Sequence, residues 1–339
     1  MHCRVVMASE QEQFGLCGPK HLTAYIDWSN PDHRRSVAAS LVKGVYILQR
    51  DRQQNRSGHE ALAPQWWTSL GFDLLRFLID DADSSIFGAI YVRKYKENNA
   101  PNIVVAFRGT IPQGESFQRD FKLNLEILKN ELHRTSRFEH SIQVVRSLVC
   151  HDQSLWLAGH SLGSALAMLV GRTMVESGLF LETYLFNPPF SSIPIDRIKN
   201  RRVREGLMIA SSFVTAGLAV VLKKKSGGAK HAFLALEKWF PNLFVNPNDP
   251  ICSAYIGYFE HRRKMEEIGA SKIERLATQN SIGDLVSGAF GRESKPSHLV
   301  PSANLTVNLD HSKDFKSAHG IQQWWQPDLR FECTCHKHK

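Results

Sequence analysis

The sequence predicts an α/β fold with a largely parallel central sheet that helices cover on both faces. Short apolar runs alternate along the chain with longer segments of helical spacing. One of these runs ends in the turn Gly159-His160-Ser161-Leu162-Gly163, and a helix rich in small residues follows directly. With 339 residues, of which 42% are hydrophobic, the chain can bury one large core or two smaller ones.

The N-terminal part, residues 1–80, is predicted to be a helical extension that precedes the sheet. Apolar residues recur at helical spacing over 37–48 and again from Trp66 to Ile79. Residues 49–58 between these two stretches are polar, and we expect a loop there.

Strands and helices are then predicted to alternate along most of the chain. The predicted strands are short apolar runs bounded by turn residues: 86–92, 103–107, 154–158, 183–186 and 243–246. The predicted helices have apolar residues three and four apart or follow the serine turn: 121–133, 138–149, 165–170 and 255–268. Continuous apolar strands that alternate with helices indicate a mostly parallel sheet buried on both faces. We therefore expect residues 1–339 to form a single domain.

A helical insertion is predicted over residues 190–242, after the fifth or sixth strand. It contains sixteen consecutive uncharged residues, Leu207–Leu222, with basic residues on both sides. This run is shorter than the ~20 residues that a membrane-spanning helix needs. It is expected to be a buried helix, or else a cap or interfacial helix over residues 197–228 whose basic ends contact an anionic membrane surface.

The net charge of +9 is compatible with an anionic membrane or a nucleic acid as partner. No nucleic-acid-binding motif accompanies the charge, so a nucleic acid is not expected. The N-terminus has no secretory signal pattern, and the six cysteines do not have the spacing of a disulfide framework. We expect an intracellular, cytoplasmic protein that binds membranes peripherally if at all.

The C-terminal region is predicted to be irregular. Residues 280–306 are rich in Gly and Ser and are expected to form a loop. The segment Cys333-Thr334-Cys335-His336 does not have the spacing of a zinc site and is expected to be a frayed basic tail. Neither a metal nor a cofactor is predicted.

The turn at Gly159–Gly163 carries the strongest chemical signal. Glycines two before and two after a serine allow a strained strand-to-helix turn that leaves the serine hydroxyl accessible at its tip. Ser161 is therefore the candidate nucleophile. The side chain of His160 is expected to point away from Ser161.

A serine hydroxyl is a weak nucleophile and needs a base, which in turn needs a group that orients it. In this arrangement the partners follow the serine in the order acid, then histidine. Asp249 comes just after the apolar run 243–246, in a turn flanked by prolines, and is the candidate orienter. The downstream histidines are His298, His311 and His319, and His319 is favoured because it directly precedes an aromatic helical segment.

The negative oxygen that forms during acyl transfer needs preorganised hydrogen-bond donors. The backbone N–H of Leu162, next after the candidate nucleophile, is one candidate donor. The other is Thr110, which follows the predicted strand Ile103–Phe107 and could supply its N–H and its hydroxyl.

Taken in order, four segments resemble the class 3 (fungal triacylglycerol lipase-like) branch of the α/β-hydrolases. They are Val104-Val105-Ala106-Phe107-Arg108-Gly109-Thr110, Gly159-His160-Ser161-Leu162-Gly163, Asn248-Asp249-Pro250 and His319. The N-terminal segments also resemble a plant esterase/lipase subgroup of that branch: Gly18-Pro19-Lys20-His21-Leu22, Asp27-Trp28 and Leu62-Ala63-Pro64-Gln65-Trp66-Trp67. Some plant relatives carry a GDSL-esterase name, but this chain contains no Gly-Asp-Ser-Leu.

The resemblance implies an α/β-hydrolase fold and a serine carboxylic-ester hydrolase. It implies Ser161 as nucleophile, Asp249 as orienter, His319 as base, and Thr110 and Leu162 at the oxyanion hole. The implied substrates are acylglycerols or other lipid esters. Two alternatives stay open at this point: a non-catalytic lipid- or protein-binding module on a hydrolase scaffold, and an acyltransferase or thioesterase that uses the same triad.

Overall fold

In the described part of the chain eight strands form one sheet, and their order across the sheet is their order in the sequence. The computed structural model describes residues 19–22, 25–62, 66–111, 135–150, 154–190, 234–268 and 300–338. The strands are β1 Phe72–Ile79, β2 Ile86–Arg93, β3 Ile103–Phe107, β4 Leu155–His160, β5 Glu182–Phe186, β6 Asn242–Val245, β7 Ala303–Asn308 and β8 Phe331–His336. The five strands β3 to β7 are parallel, while β1, β2 and β8 complete the two edges through antiparallel pairing.

The helices lie on the two faces of this sheet. They are α1 Pro31–Gln53, α2 Ser136–Val149, α3 Leu162–Glu176, α4 Ala254–Glu267 and α5 Phe315–His319. Short 3-10 helices span Lys20–Leu22, Gly58–Glu60, Trp66–Leu70 and Ile321–Trp325. Helices α2, α3 and α4 pack on one face, and α1 packs on the other together with the aromatic segment Ile321–Trp325. The strand side chains alternate between the two cores, which explains why the central strands read as continuous apolar runs.

Local sequence sets where α1 begins and how far it runs. Asn30 caps the helix by accepting the N–H of Asp32 at 2.9 Å, and Pro31 occupies the first helical position, where its missing N–H costs nothing. The helix continues to Gln53, so the prediction of a loop from residue 49 is wrong over its first five residues. Gln49 and Asp51 are polar but buried, because their side chains accept the backbone N–H groups of Ile86 and Leu62.

The predicted helix from Trp66 to Ile79 is wrong, and with it the all-helical character of residues 1–80. Only Trp66–Leu70 is helical, as a 3-10 turn, and Phe72–Ile79 is the edge strand β1. Its pairing with β2 is interrupted between Leu74 and Arg76, so Leu75 lies in a bulge. The bulge shifts the alternation of apolar residues by one position, and the result resembles helical spacing in the sequence.

The predicted frayed tail is also wrong. Phe331–His336 pairs antiparallel with β7 over its whole length, and Phe331 packs against Trp324 and under the Arg35 guanidinium. Strand β7 begins at Ala303, inside the predicted loop 280–306, because pairing with β6 orders that segment. Within the described part of the chain, no cluster of three or more His, Cys, Asp or Glu side chains is arranged to hold a metal ion.

The other predicted strands and helices are confirmed within a few residues wherever the structure describes them. The predicted helix 121–133 and residues 191–233, which include the segments 197–228 and 207–222, lie outside the described residues. The predicted insertion falls between β5 and β6, thus after the fifth strand. None of the described helices is both long enough and apolar enough to cross a membrane.

Candidate active site

Ser161 lies in a strained turn between β4 and α3. Its backbone has φ 55° and ψ −126°, a region that residues with a side chain rarely adopt. Two glycines make the turn possible: a Cβ on Gly159 would lie 2.2 Å from the Gly163 carbonyl oxygen, and one on Gly163 would lie 2.4 Å from the Phe107 carbonyl oxygen. The turn is held from outside as well, because the Ser161 N–H donates to the Phe186 carbonyl of β5 at 2.9 Å.

The side chain of Ser161 is buried, so the prediction of an accessible hydroxyl at the tip of the turn is wrong, and its Oγ makes no hydrogen bond within the described part of the chain. A buried hydroxyl without a hydrogen bond destabilises the fold, whereas most serine hydroxyls bond to water or to another protein group. Such a position is therefore typical of a group held for reaction. Leu162 is the first residue of α3, and its N–H is therefore one of the amides that the helix itself leaves without an intrahelical acceptor.

Asp249 and His319 form a buried pair next to this turn. The Nδ1 of His319 lies 2.8 Å from Oδ2 of Asp249, and the Asp249 side chain is completely buried. Asp249 sits at the end of the turn that follows β6, and its Oδ1 accepts the N–H of Ile251. His319 is the last residue of α5, whose N-cap Asp314 accepts the N–H of Ser317. A carboxylate can only accept, so Nδ1 of His319 carries the proton and Nε2 presents a lone pair.

Asn187 and Cys252, which the sequence did not single out, hold the Asp249 carboxylate in place. The Nδ2 of Asn187 donates to Oδ2 of Asp249 at 2.7 Å, and the Cys252 thiol donates to the same oxygen at 3.2 Å. Burial alone disfavours the ionised carboxyl, but His319 and the hydrogen bonds from Ile251 and Asn187 outweigh it, so the pKa of Asp249 is held below its ordinary value. The carboxylate is therefore ionised at neutral pH.

Of the other two candidate histidines, His311 does not occupy this position. His311 is exposed, and His298 lies outside the described residues. The ring of His319 is fixed by contacts on two sides: it stacks on Phe315 with the ring planes 8° apart and lies 4.9 Å from the ring of His160. His160 itself is buried and hydrogen-bonds to Tyr46 and to the His319 carbonyl, and no hydrogen bond joins it to Ser161.

The end of β3 approaches the Ser161 turn closely. A Cβ on Gly109 would lie 2.8 Å from the Cβ of Ser161, so a larger residue there would displace the serine. Thr110 follows directly and is half-buried. Thr110 and Leu162 both line a cavity of about 470 Å³. Thr110 and Leu162, which carry the predicted donors of the oxyanion hole, thus border one common space.

Arg108 orients the peptide that carries the Thr110 N–H. Its Nη1 donates to the Gly109 carbonyl at 2.7 Å, and its Nε donates to the Ile86 carbonyl at 2.6 Å. In a trans peptide the carbonyl and the following N–H point in opposite directions. Because Arg108 fixes the Gly109 carbonyl, the N–H of Thr110 is directed away from Arg108. Burial lowers the pKa of Arg108 to about 10, which still leaves it charged at neutral pH.

The wall of this cavity opposite the turn is polar. It is formed by the β1–β2 turn and the start of α2, where Arg137 bridges to Asp80 at 2.5 Å and contacts Asp83 and Ser85. Asp80 is kept ionised by these contacts: burial opposes ionisation, but the N–H of Ala82 and the Arg137 guanidinium lower its pKa.

Three features define an α/β-hydrolase. They are a mostly parallel sheet, a strand–Ser161–helix turn, and a buried Asp–His pair on segments that follow later strands in the sequence. The comparisons with known proteins agree with this class. The family model described as Lipase (class 3) matches residues 104–192, which run from β3 through the serine turn to just beyond β5. The chain belongs to the class 3 lipase family and, within it, to a plant esterase/lipase subgroup.

The subgroup rests on one long match. An Arabidopsis thaliana protein named as a GDSL esterase/lipase is 48% identical over 355 aligned positions, which cover 98% of this chain and 100% of that protein. The crystal structure of a lipase from Rhizopus microsporus var. chinensis is 14% identical, with a TM-score of 0.31, and the match covers 63% of this chain and 66% of that one. By its family the chain is a serine ester hydrolase, although the Gly-Asp-Ser-Leu of the relative's name does not occur in it.

Proposed function

We propose that Ser161, His319 and Asp249 hydrolyse a carboxylic ester through an acyl-enzyme, with Thr110 and Leu162 as the oxyanion hole. The observation that carries the proposal is the 2.8 Å contact between His319 and Asp249, with the His319 ring packed against His160, the residue that precedes Ser161. Membership of the family supports the reaction class, and the geometry supports the roles proposed for the residues.

In the first half-reaction, Nε2 of His319 takes the proton of Ser161 Oγ as that oxygen attacks the ester carbonyl carbon. The carbonyl oxygen becomes negative and is stabilised by the N–H groups of Leu162 and Thr110. His319 then donates its proton to the leaving alcohol, the carbon–oxygen bond breaks, and the acyl group stays on Ser161. Asp249 stabilises the imidazolium during both proton transfers.

In the second half-reaction a water molecule takes the place of the alcohol. His319 removes one of its protons, the hydroxyl oxygen attacks the acyl carbon, and the bond to Ser161 Oγ breaks. The proton on His319 returns to the serine, and the carboxylic acid leaves. Because His319 is packed between Phe315 and His160, we expect rotation of the Ser161 side chain about its Cα–Cβ bond, rather than movement of the imidazole, to form the Ser–His hydrogen bond.

Lipid esters are the proposed substrates. This part of the proposal is supported by the names of the matched family and of the relatives, which are lipases and esterases. We also propose that residues 197–228 bind anionic membranes peripherally, on the basis of their sequence: an uncharged run flanked by basic clusters. Replacing Lys223, Lys224 and Lys225 by Ser should weaken co-sedimentation with anionic vesicles and leave hydrolysis of a soluble ester unchanged; equal sedimentation of both proteins would refute the membrane contact.

The triad is tested with Ser161→Ala and a fluorophosphonate probe that reacts with activated serines. The wild type should be labelled at Ser161 and should hydrolyse p-nitrophenyl esters, whereas Ser161→Ala should do neither. Ser40→Ala is a matched control, because Ser40 is also buried and its hydroxyl donates within helix α1, to the backbone carbonyl of Ser36. Labelling of Ser161→Ala, or inactivity of the wild type on short and long esters alike, would refute the proposal and favour a binding module.

A further inference from the structure

A chain of three hydrogen bonds, one buried and two partly buried, connects two parts of the site next to the Ser161 turn. The Gly109 N–H lies 2.7 Å from the Tyr46 hydroxyl, and that hydroxyl lies 2.8 Å from Nδ1 of His160. The other ring nitrogen of His160, Nε2, lies 2.7 Å from the carbonyl oxygen of His319. None of these contacts is needed for the proton transfers of the proposed reaction.

The proton positions in this chain are determined by its two ends. A backbone N–H can only donate, so the Tyr46 oxygen accepts from Gly109 and its own proton points to Nδ1 of His160. A carbonyl oxygen can only accept, so Nε2 of His160 carries the ring proton. Every donor then has an acceptor, and the imidazole is neutral.

Burial supports the same assignment. Desolvation, and then the neighbouring His319, lower the pKa of His160 to about 3, while desolvation raises the pKa of Tyr46 above its ordinary value. Both groups therefore keep a single protonation state throughout the pH range in which esterases operate. The chain is a fixed structural connection and does not transfer protons.

The chain connects the backbone on either side of Ser161. At one end, Gly109 lies immediately before the predicted oxyanion donor Thr110 and in contact distance of the serine Cβ. At the other end, the bonded carbonyl belongs to the proposed base, His319. The histidine in the middle precedes Ser161 directly. The separation of the predicted oxyanion donor and the base is thus held in part by two side chains outside the proposed triad and oxyanion hole.

We propose that Tyr46 and His160 are positioning residues that hold the Thr110 strand end and the His319 backbone at a fixed separation across Ser161. This inference rests on the proposed function, because it assigns both residues a role in that reaction. Catalytic hydrogen-bond donors that shift by about 1 Å can cost roughly a hundredfold in rate. Loss of the chain should therefore reduce kcat more than it affects substrate binding.

The first test compares Tyr46→Phe with Tyr91→Phe. Each change removes one tyrosine hydroxyl at helix α1. Tyr46 lies on this helix, whereas the Tyr91 hydroxyl donates to the Leu41 carbonyl of the helix at 3.2 Å, away from the site. For Tyr46→Phe we expect kcat for a soluble p-nitrophenyl ester to fall roughly tenfold or more, with KM changed less than about twofold. Tyr91→Phe should keep the wild-type kcat, even if its thermal unfolding temperature falls by as much as that of Tyr46→Phe.

The second test uses His160, so that the result does not depend on one variant. His160→Leu removes both hydrogen bonds, whereas His160→Gln keeps an amide that can accept from Tyr46 and donate to the His319 carbonyl. We expect Gln to retain several-fold more kcat than Leu. The double variant Tyr46→Phe/His160→Leu should be no slower than His160→Leu alone, because the two residues act in one chain.

Equal kcat values for Tyr46→Phe and Tyr91→Phe, or multiplicative losses in the double variant, would overturn the inference. A kcat loss that follows the fall in unfolding temperature equally in all variants would also overturn it, since it would indicate a purely structural role. Failure of the proposed function looks different: the wild type itself would be inactive and unlabelled by the fluorophosphonate. In that case, the 15N chemical shifts of His160 still test the chain, which requires a proton on Nε2 and none on Nδ1.

Discussion

Asn187 donates its side-chain N–H to Asp249 across 2.7 Å, and the two residues come from the ends of different strands, β5 and β6. The same amide group donates to the Ala318 carbonyl at 3.1 Å, next to His319, while its oxygen accepts from the Trp324 indole at 2.7 Å. Asn187 has φ 47°, a left-handed conformation that Asn tolerates better than most residues. One side chain thus holds the proposed orienter and the loop of the proposed base together.

Asn187→Asp should therefore impair the site with little change in shape. The new carboxylate can still accept from Trp324, but it places a like charge beside Asp249 and removes both donated hydrogen bonds. Like charges raise a carboxyl pKa, so ionisation of Asp249 is lost at a higher pH than in the wild type. We expect a lower kcat and an acidic limb of the kcat/KM profile that moves to higher pH. Asn304→Asp is the control. Asn304 lies on β7 and donates to Asn242 at 3.2 Å, and the pH profile of this variant should match that of the wild type.

Asp249→Asn should reduce kcat by about a thousandfold or more while the protein stays folded. The amide of Asn can donate to Nδ1 of His319, which would move the imidazole proton to Nε2 and leave no lone pair for Ser161. The measurement is kcat for a soluble ester, together with the circular dichroism spectrum. Asp310→Asn, which alters an exposed ion pair with Arg330, should retain nearly full activity. Comparable activity of Asp249→Asn and the wild type would exclude Asp249 as orienter.

The sequence predicted the central strands well because each is buried on both faces and reads as an unbroken apolar run. It failed where tertiary pairing outweighs the local pattern. The bulge at Leu75 gives β1 a spacing of apolar residues that resembles a helix. The polar segment Phe331–His336 is a strand only because it pairs with β7. Polar residues of α1 such as Gln49 were assigned to a loop, since a sequence does not show which backbone groups they will bond.

The site residues that could be predicted are those whose position relative to a strand is chemically determined. Ser161 follows β4, Thr110 follows β3 and Asp249 follows β6, each at the carboxyl end of a parallel strand. The residues that support them were missed, because their partners lie far away in sequence. Tyr46 contacts His160 from 114 positions upstream, and Asn187 contacts Asp249 from 62 positions upstream. A tyrosine on an apolar helix face is not distinguishable by sequence from an ordinary core residue.

Acid should destabilise the fold partly through His160. Its pKa is about 3 in the folded protein and 6.5 is the ordinary value, so between these limits the unfolded chain binds a proton that the folded chain excludes. The free energy of unfolding therefore falls as the pH is lowered through this window, by up to ~1.4 kcal/mol per pH unit from this group, and is unaffected by it above about pH 7. The groups that face the imidazole are the same in the wild type and in His160→Gln: Tyr46, His319, Asp249 and Lys43.

The measurement is urea unfolding of the wild type and of His160→Gln at pH 4.5 and at pH 7.5. The wild type should lose more stability between the two pH values than the variant, because glutamine has no proton to exclude. Other groups titrate equally in both proteins and cancel in the difference. An identical loss in the two proteins would show that His160 is already protonated, or exposed, in the folded state.

Two helical glycines should respond in opposite directions to the same substitution. A Cβ at Gly163, in the first turn of α3, would lie 2.4 Å from the Phe107 carbonyl oxygen and 2.6 Å from the Arg108 backbone, which cannot move without displacing the β3 end. Gly163→Ala should therefore destabilise the protein by several kcal/mol and reduce kcat, since the same backbone carries Gly109 and Thr110. A Cβ at Gly257, within α4, meets nothing within 4 Å, so Gly257→Ala should stabilise the protein by up to about 1 kcal/mol through helix propensity and leave kcat unchanged. Thermal unfolding and ester hydrolysis of both variants check this pair, and a Gly163→Ala protein as stable and active as the wild type would show that the serine turn does not pack against β3 as described.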